Sequence, residues 1–312
     1  MGKVGKKKVK EITAVVKPEL VYPLIRGRDH KKWHGEPSGY VLLPVDEKGK
    51  TMPTSKFRTD YPQEYKFFNE FFDELVKRGG QPYKSKLKPY REKSKTIAEK
   101  EAPPFYWLFN AKPSLAPYKV MWKYVAGKVS GKGEFSVALI TPVEDKWLGK
   151  KTPIPNEKLM LIPFVNEDEA HFVSAVLNSS AVRAIVAGYT IETAISTHVL
   201  EHIKVPSFNP KNSWHKKLSE LSRKAHSLAT SGNEEEITDV EEEIDLLVMR
   251  LFGLIDEELR GVKETLTIFQ SKGVQTAEEA EIKEMVEEAE KIEVPPKRAL
   301  ERLLEKFKEE ES

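Results

Sequence analysis

The chain has 312 residues, 39% hydrophobic and 32% charged, and no cysteine. That length supports one large domain or two modest ones, and the missing cysteine excludes a disulfide framework, a thiolate metal site and a Cys nucleophile. No apolar run approaches the roughly 18 residues of a membrane span, and the basic N-terminus has no apolar segment behind it, so a cytoplasmic protein is expected. Lys and Glu, 40 of each, far outnumber the 11 Arg and 9 Asp, a bias shared with hyperthermophile proteins.

The formal charge of +2 conceals a segregation. Residues 1–130 hold 28 Lys and Arg against 14 Asp and Glu, whereas residues 231–312 hold 11 against 25. A balance of +14 at the front and −14 at the back points to a polyanion partner for the front half. The competing reading is an acidic tail that only solubilises, or folds back on, the basic half.

Residues 1–11, with Lys3, Lys6, Lys7, Lys8 and Lys10, read as a disordered basic arm. Short apolar runs at Val15-Val16, Val21–Ile25 and Gly39–Val45 read as strands between turn residues. Tyr65, Phe68, Phe72 and Leu75 repeat at helical spacing, which predicts a helix over 62–78, begun by Pro62 and ended by Gly79-Gly80. Residues 81–104 are basic and Pro-punctuated and read as a long loop. Further strands are expected at Tyr106–Phe109, Tyr118–Trp122, Phe135–Ile140 and Lys158–Pro163.

Helices are expected over Glu167–Asn178 and Ala181–Ala187, then a strand over Val199–Val205. Leu218, Leu221, Ala225 and Leu228, followed by Ile237, Val240, Ile244, Leu247 and Leu251, form two narrow coiled-coil seams. The short link Thr230–Asn233 predicts that these two helices pair antiparallel. The expected organisation is therefore a basic arm (1–11), a mixed α/β domain (12–210) of α+β class, an antiparallel helix-pair spacer (211–268) and an acidic helical tail (269–312).

Catalytic constellations are not evident. Gly127-Lys128-Val129-Ser130-Gly131-Lys132-Gly133 has its first two glycines too close for a phosphate loop, with Gly133 where Ser or Thr is needed. His198 and His202 have i, i+4 spacing, but the Glu sits at 201 and not directly after the first His, and the stretch reads as strand. Asp29 and Glu36 alone are not a nuclease metal pair.

The stretch Leu24-Ile25-Arg26-Gly27-Arg28-Asp29, followed by Lys31-Lys32-Trp33, resembles the opening of the target-recognition region of type IIG N6-adenine DNA methyltransferases of restriction–modification systems. The resemblance continues through Pro104–Phe109, Ala116–Lys123, Lys158–Phe164, Ala175–Arg183, His202–Phe208 and the helix pair, spanning about residues 20–268. It implies sequence-specific recognition of double-stranded DNA on behalf of a methyltransferase or restriction subunit. The Gly-rich S-adenosylmethionine loop and the Asn-Pro-Pro-aromatic motif of such enzymes do not occur. Asn209-Pro210-Lys211 is the nearest approach. No catalytic, cofactor or metal residue is therefore assigned, and S-adenosylmethionine is expected on a partner or a separate methyltransferase domain. The alternatives are a protein-interaction module acting through its acidic helices, or a part severed from a methyltransferase.

Within that reading, an extended backbone puts Arg26 and Arg28 on one face, where a guanidinium can grip a guanine edge. The alternative is that one of them pairs with Asp29 to fix a turn. Lys31, Lys32, Lys84, Lys86, Lys88 and Arg91 suit phosphate contacts, or else a solvated loop. Alternation puts Tyr118, Val120 and Trp122 on one strand face and Lys119, Met121 and Lys123 on the other. Lys119 and Lys123 are therefore DNA candidates, and Trp122 a core residue. Trp33 is ambiguous between the two roles. Thr197 and His198 are weaker phosphate candidates.

Overall fold

The computed structural model describes residues 2–4, 7–124, 135–189, 200 and 203–267. The fold is of the mixed α+β class, with small sheets and many helices. Strands β1 (Gly2–Val4) and β2 (Lys7–Val9) pair as an antiparallel hairpin, where a disordered arm was expected. Strand β3 (Val21–Ile25) pairs antiparallel with β4 (Gly39–Leu42). The chain then turns helical.

A helix α1 (Thr54–Asp60) comes first, and the single helix expected over 62–78 is two short ones, α2 (Pro62–Asn69) and α3 (Phe72–Val76). The expected loop over 81–104 is also helical, as α4 (Gln81–Lys86), α5 (Lys88–Glu92) and α6 (Lys95–Glu101). Pro62, Pro82 and Pro89 each sit in a first helical turn, where a missing N–H costs nothing. The prolines therefore start these helices instead of marking loops. Their apolar sides bury Phe57, Leu87, Tyr90 and Ala98 around Phe105 and Tyr106. Phe57 and Tyr106 meet at 4.8 Å between ring centroids, Phe72 and Phe105 at 5.0 Å. Tyr106 is accordingly part of an aromatic core, with Trp107 packed against it, and Tyr106–Phe109 is not a strand.

Strand β5 (Tyr118–Lys123) is central in an antiparallel sheet, flanked by β6 (Ala138–Ile140) and, further on, by β10 (Leu159–Phe164). Between them come the hairpin β7 (Val143–Asp145) and β8 (Gly149–Lys151) and the short β9 (Ile154–Pro155), which pairs parallel with β3. Helix α7 (Glu167–Asn178) has the expected bounds, with Asn166 accepting from the Glu169 N–H as its cap. It is followed by α8 (Ser180–Tyr189), α9 (Ser213–Ser231) and α10 (Glu234–Phe252). Residues 256–267 are also helical. Leu200 and residues 203–205 are not a strand; residues 199, 201 and 202 of that expected element, with Thr197 and His198, lie outside the described residues. So do the glycine run 127–133 and the acidic tail 269–312.

The helices α9 and α10 form the expected antiparallel hairpin, turned at Gly232 with φ +76° and bridged by Lys217 to Glu243 at 2.9 Å. They are not a separate spacer. Leu218, Leu221, Ala225, Val240, Ile244 and Val248 belong to one buried cluster with Val120, Trp122, Phe172 and Val176. A boundary at 210 therefore cuts through the main core. A coiled-coil seam would bury only one narrow stripe; here α10 also buries Val248 and Met249, because it packs against more than its hairpin partner. Among the described residues no single helix is long and apolar enough to cross a membrane.

Candidate nucleic-acid interface

Beyond β3 the chain is not extended. Residues Gly27–Asp29 form one turn of 3-10 helix, so Arg26 and Arg28 do not share a face. Arg26 is held: its Nη1 donates to the Ser38 carbonyl at 2.9 Å and to Ser38 Oγ at 2.8 Å. Its backbone N–H donates to Asp29 Oδ2 at 2.7 Å, and Ser38 Oγ donates to the same oxygen at 2.6 Å. A methyl group on Gly39 would meet the Arg26 guanidinium at 3.0 Å. Burial opposes ionisation of Asp29, but the Ser38 hydroxyl, the Arg26 N–H and both arginines outweigh it and lower its pKa. Arg26 therefore fixes the turn, and its assignment as a base reader is corrected. Arg28 points away, with a side chain 73% exposed and only a 3.6 Å approach to Asp29 Oδ1.

Lys31 follows as an exposed side chain. Lys32 does not. Its Nζ donates to Glu241 Oε2 at 2.7 Å, and Trp33 Nε1 donates to Glu241 Oε1 at 2.6 Å. Burial, with the Arg183 charge, lowers the Lys32 pKa despite Glu241. Lys32 thus ties the turn to α10 and is withdrawn as a phosphate contact. Trp33 is a core residue at φ +73°, fixed through its backbone to Val137 and Leu139.

The β5 alternation is as expected, but both faces are covered. Val120 and Trp122 face the helices, while Met121 packs on Ile25, Ala138, Ile140 and Leu159. Lys119 is fully buried, with Nζ donating at 2.5 Å to both the Ala116 carbonyl and Thr152 Oγ1. Burial lowers its pKa to about 7. It cannot reach DNA, and that assignment is corrected. Lys123, at the strand end, is exposed.

Lys158, expected from sequence only as the start of a strand, joins this group. Its Cβ lies 3.3 Å from where a Gly27 Cβ would stand, and its carbonyl accepts from the Tyr124 N–H at 2.9 Å. The Asn156 N–H donates to the Ile25 carbonyl at 2.9 Å, which seats the 156–158 loop against the turn. Only the strand pairing brings Lys158 beside Gly27, so no local motif signals it. Lys158 thus approaches Gly27 next to Arg28, and its backbone pairs with Tyr124 next to Lys123; with Lys31 three residues after Arg28, these exposed cations form a basic rim along neighbouring backbone segments.

Lys84, Lys86 and Lys88 are exposed on α4 and α5, on the aromatic helical unit and not on a loop. Lys88 stands 3.7 Å from Glu92. Arg91 is spent structurally: its Nε donates to the Val76 carbonyl at 2.8 Å and its Nη2 to the Arg78 carbonyl at 3.0 Å, closing the end of α3. Asn178, Ser179 and Ser180 lie at the α7–α8 junction, and Asn178 holds the Val137 backbone, N–H and carbonyl, across the core. Among the described residues no three His, Asp or Glu side chains converge as metal ligands. No protein-family model matches the chain, and no curated protein matches it.

Proposed function

We propose that the chain binds double-stranded DNA and serves as the target-recognition part of an N6-adenine methyltransferase or restriction–modification system. The observation that carries this reading is the exposed rim of Arg28, Lys123 and Lys158, with Lys31 adjacent; all but Lys158 belong to residues 1–130, whose balance is +14. Arg28 has the planar fork that matches two acceptors of a guanine edge, and the ammonium groups suit phosphates. The methyltransferase connection rests on the sequence resemblance alone. It assigns S-adenosylmethionine and the chemistry to a partner or separate domain, in the cytoplasm.

The test is a titration of the purified chain with duplex DNA at several salt concentrations. Affinity should fall steeply with salt, by a slope of about −0.9 per phosphate contact. An affinity indifferent to salt, or no binding, rejects the reading. Calorimetry should find no S-adenosylmethionine binding to the chain alone; stoichiometric binding would reject the assignment of that cofactor to a partner.

A further inference from the structure

The β7–β8 hairpin carries no motif from the sequence reading. Its ladder pairs Val143 with Lys151, Glu144 with Lys150 and Asp145 with Gly149, leaving Lys146, Trp147 and Leu148 at the tip. The tip is braced. Asp145 Oδ1 accepts from the N–H groups of Trp147 at 2.8 Å and Leu148 at 3.0 Å, and Gly149 turns the chain at φ +66°. The Tyr40 hydroxyl donates to Asp145 Oδ2 at 2.7 Å, tying the hairpin to β4.

On this support Trp147 is 72% exposed. An indole is the largest apolar surface a side chain can offer, and holding one in water on an ordered tip forgoes a large burial gain. Its neighbours are cationic. Lys146 Nζ lies 4.7 Å from the ring centroid, and Lys150 is exposed beside the tip. Of the two acidic residues, Asp145 is engaged by the Tyr40 hydroxyl and the turn, and Glu144 faces Lys150 across the ladder.

The topology sets the location. Because β3 and β4 are antiparallel, the end of β3 and the start of β4 share one end of their sheet. Strand β9 runs parallel to β3 and delivers residues 156–158 to the same end. That end therefore carries the Arg28 turn, Lys158 and Tyr40, and through Tyr40 the hairpin. An exposed aromatic between lysines matches a nucleobase flanked by phosphates better than it matches an apolar protein surface.

We infer that Trp147 is a stacking contact for a nucleobase, with the hairpin tip entering DNA held along the basic rim. The inference rests on the DNA-binding reading above. Stacking on a π-face tolerates any base, so this contact adds affinity and local distortion while the rim sets placement.

The full chain is tested as wild type, Trp147→Phe and Trp147→Ala with a pool of random-sequence duplexes, in binding titrations over salt and in iodide quenching of fluorescence. The Trp147 signal is the difference between wild type and Trp147→Phe. DNA should protect that signal from iodide. Trp147→Ala should weaken binding by about 5- to 100-fold with an unchanged salt slope, and Trp147→Phe by much less. Wild-type binding with Trp147→Ala equally tight overturns the inference and leaves the DNA-binding reading standing. A Trp147→Ala loss accompanied by a flatter salt slope also overturns it, because the residue then only positions Lys146. Protection of Trp147 without DNA, in a self-associated chain, overturns it in favour of a contact between copies. No DNA binding by wild type overturns both.

Discussion

Trp33 and Glu241, 208 residues apart in the chain, are joined by a 2.6 Å hydrogen bond from the indole N–H to the carboxylate. The other oxygen of Glu241 takes the Lys32 ammonium at 2.7 Å, and His226 Nδ1 lies 3.0 Å from the Trp33 carbonyl. One carboxylate on α10 thus anchors the turn that presents Arg28 and Lys31. Replacing Glu241 with Ala leaves an indole N–H and an ammonium without acceptors, at a cost of roughly 1–3 kcal/mol. Glu241→Gln, which keeps one acceptor oxygen, should cost less. Urea unfolding of the three proteins checks the order, and equal midpoints for wild type and Glu241→Ala would show that the anchor carries no stability.

Arg26 and Arg28, separated by one glycine, should behave as different residues. Arg26→Ala removes the guanidinium that holds Ser38 and should lower the unfolding midpoint, weakening binding to all DNA sequences alike. Arg28→Ala should leave stability within about 0.5 kcal/mol of wild type and weaken DNA binding. If Arg28 reads a base, the loss is roughly 1–3 kcal/mol larger on a selected site than on scrambled DNA. Paired stability and binding measurements on both variants check this; reversed behaviour would return Arg26 to the interface.

Lys119 makes stability depend on alkaline pH. Its folded pKa is lowered by burial to about 7, from an ordinary 10.5. Below both values each state holds the proton, and the fold carries the full cost of a buried ammonium. Between them the unfolded chain binds more protons than the folded one, so stability rises with pH by up to roughly 1.4 kcal/mol per unit. Tyrosines with raised folded pKa values, Tyr90 among them at about 12, reverse the trend above pH 10. Urea midpoints should therefore increase from pH 7 to pH 9.5. Lys119→Met should flatten that increase, and its Ala116 carbonyl keeps the Thr152 hydroxyl at 3.0 Å as donor. An undiminished rise in the variant would assign the effect elsewhere.

Two buried histidines act at the acid end. Burial lowers His30 to about 4 and His171 to about 3, from 6.5. As pH falls below 6.5 the unfolded chain takes up protons that the folded one refuses, so stability falls, continuing until the folded pKa values are reached. The decline between pH 6.5 and pH 5 should be shallower by about one proton in His30→Gln. Denaturant titrations across that interval measure it; an identical slope in the variant would remove His30 from the account.

The long periodic helices are legible in the chain because their stripes are local: α7, α8, α9 and α10 lie within a few residues of where apolar spacing and capping put them. Strands β3, β5 and β10 are likewise visible as short apolar runs. The charge segregation is a property of the sequence and needs no fold. Proline misled over 81–104, because its meaning depends on position: in a first turn it starts a helix, and aromatic packing against Phe105 completes it. Which cations are engaged by protein partners was decided only in three dimensions. Lys32, Lys119 and Arg91 look like any other basic side chains until partners at residues 241, 152 and 76 take them up. Lys158 gains its place from the pairing of β3 with β9, and Trp147 from the Tyr40–Asp145 hydrogen bond, each across more than 100 residues. Local pattern fixes the elements, since backbone preference and periodicity act over a few residues. Exposure is set by which distant surfaces the core brings together, and a chain read from end to end contains no such term.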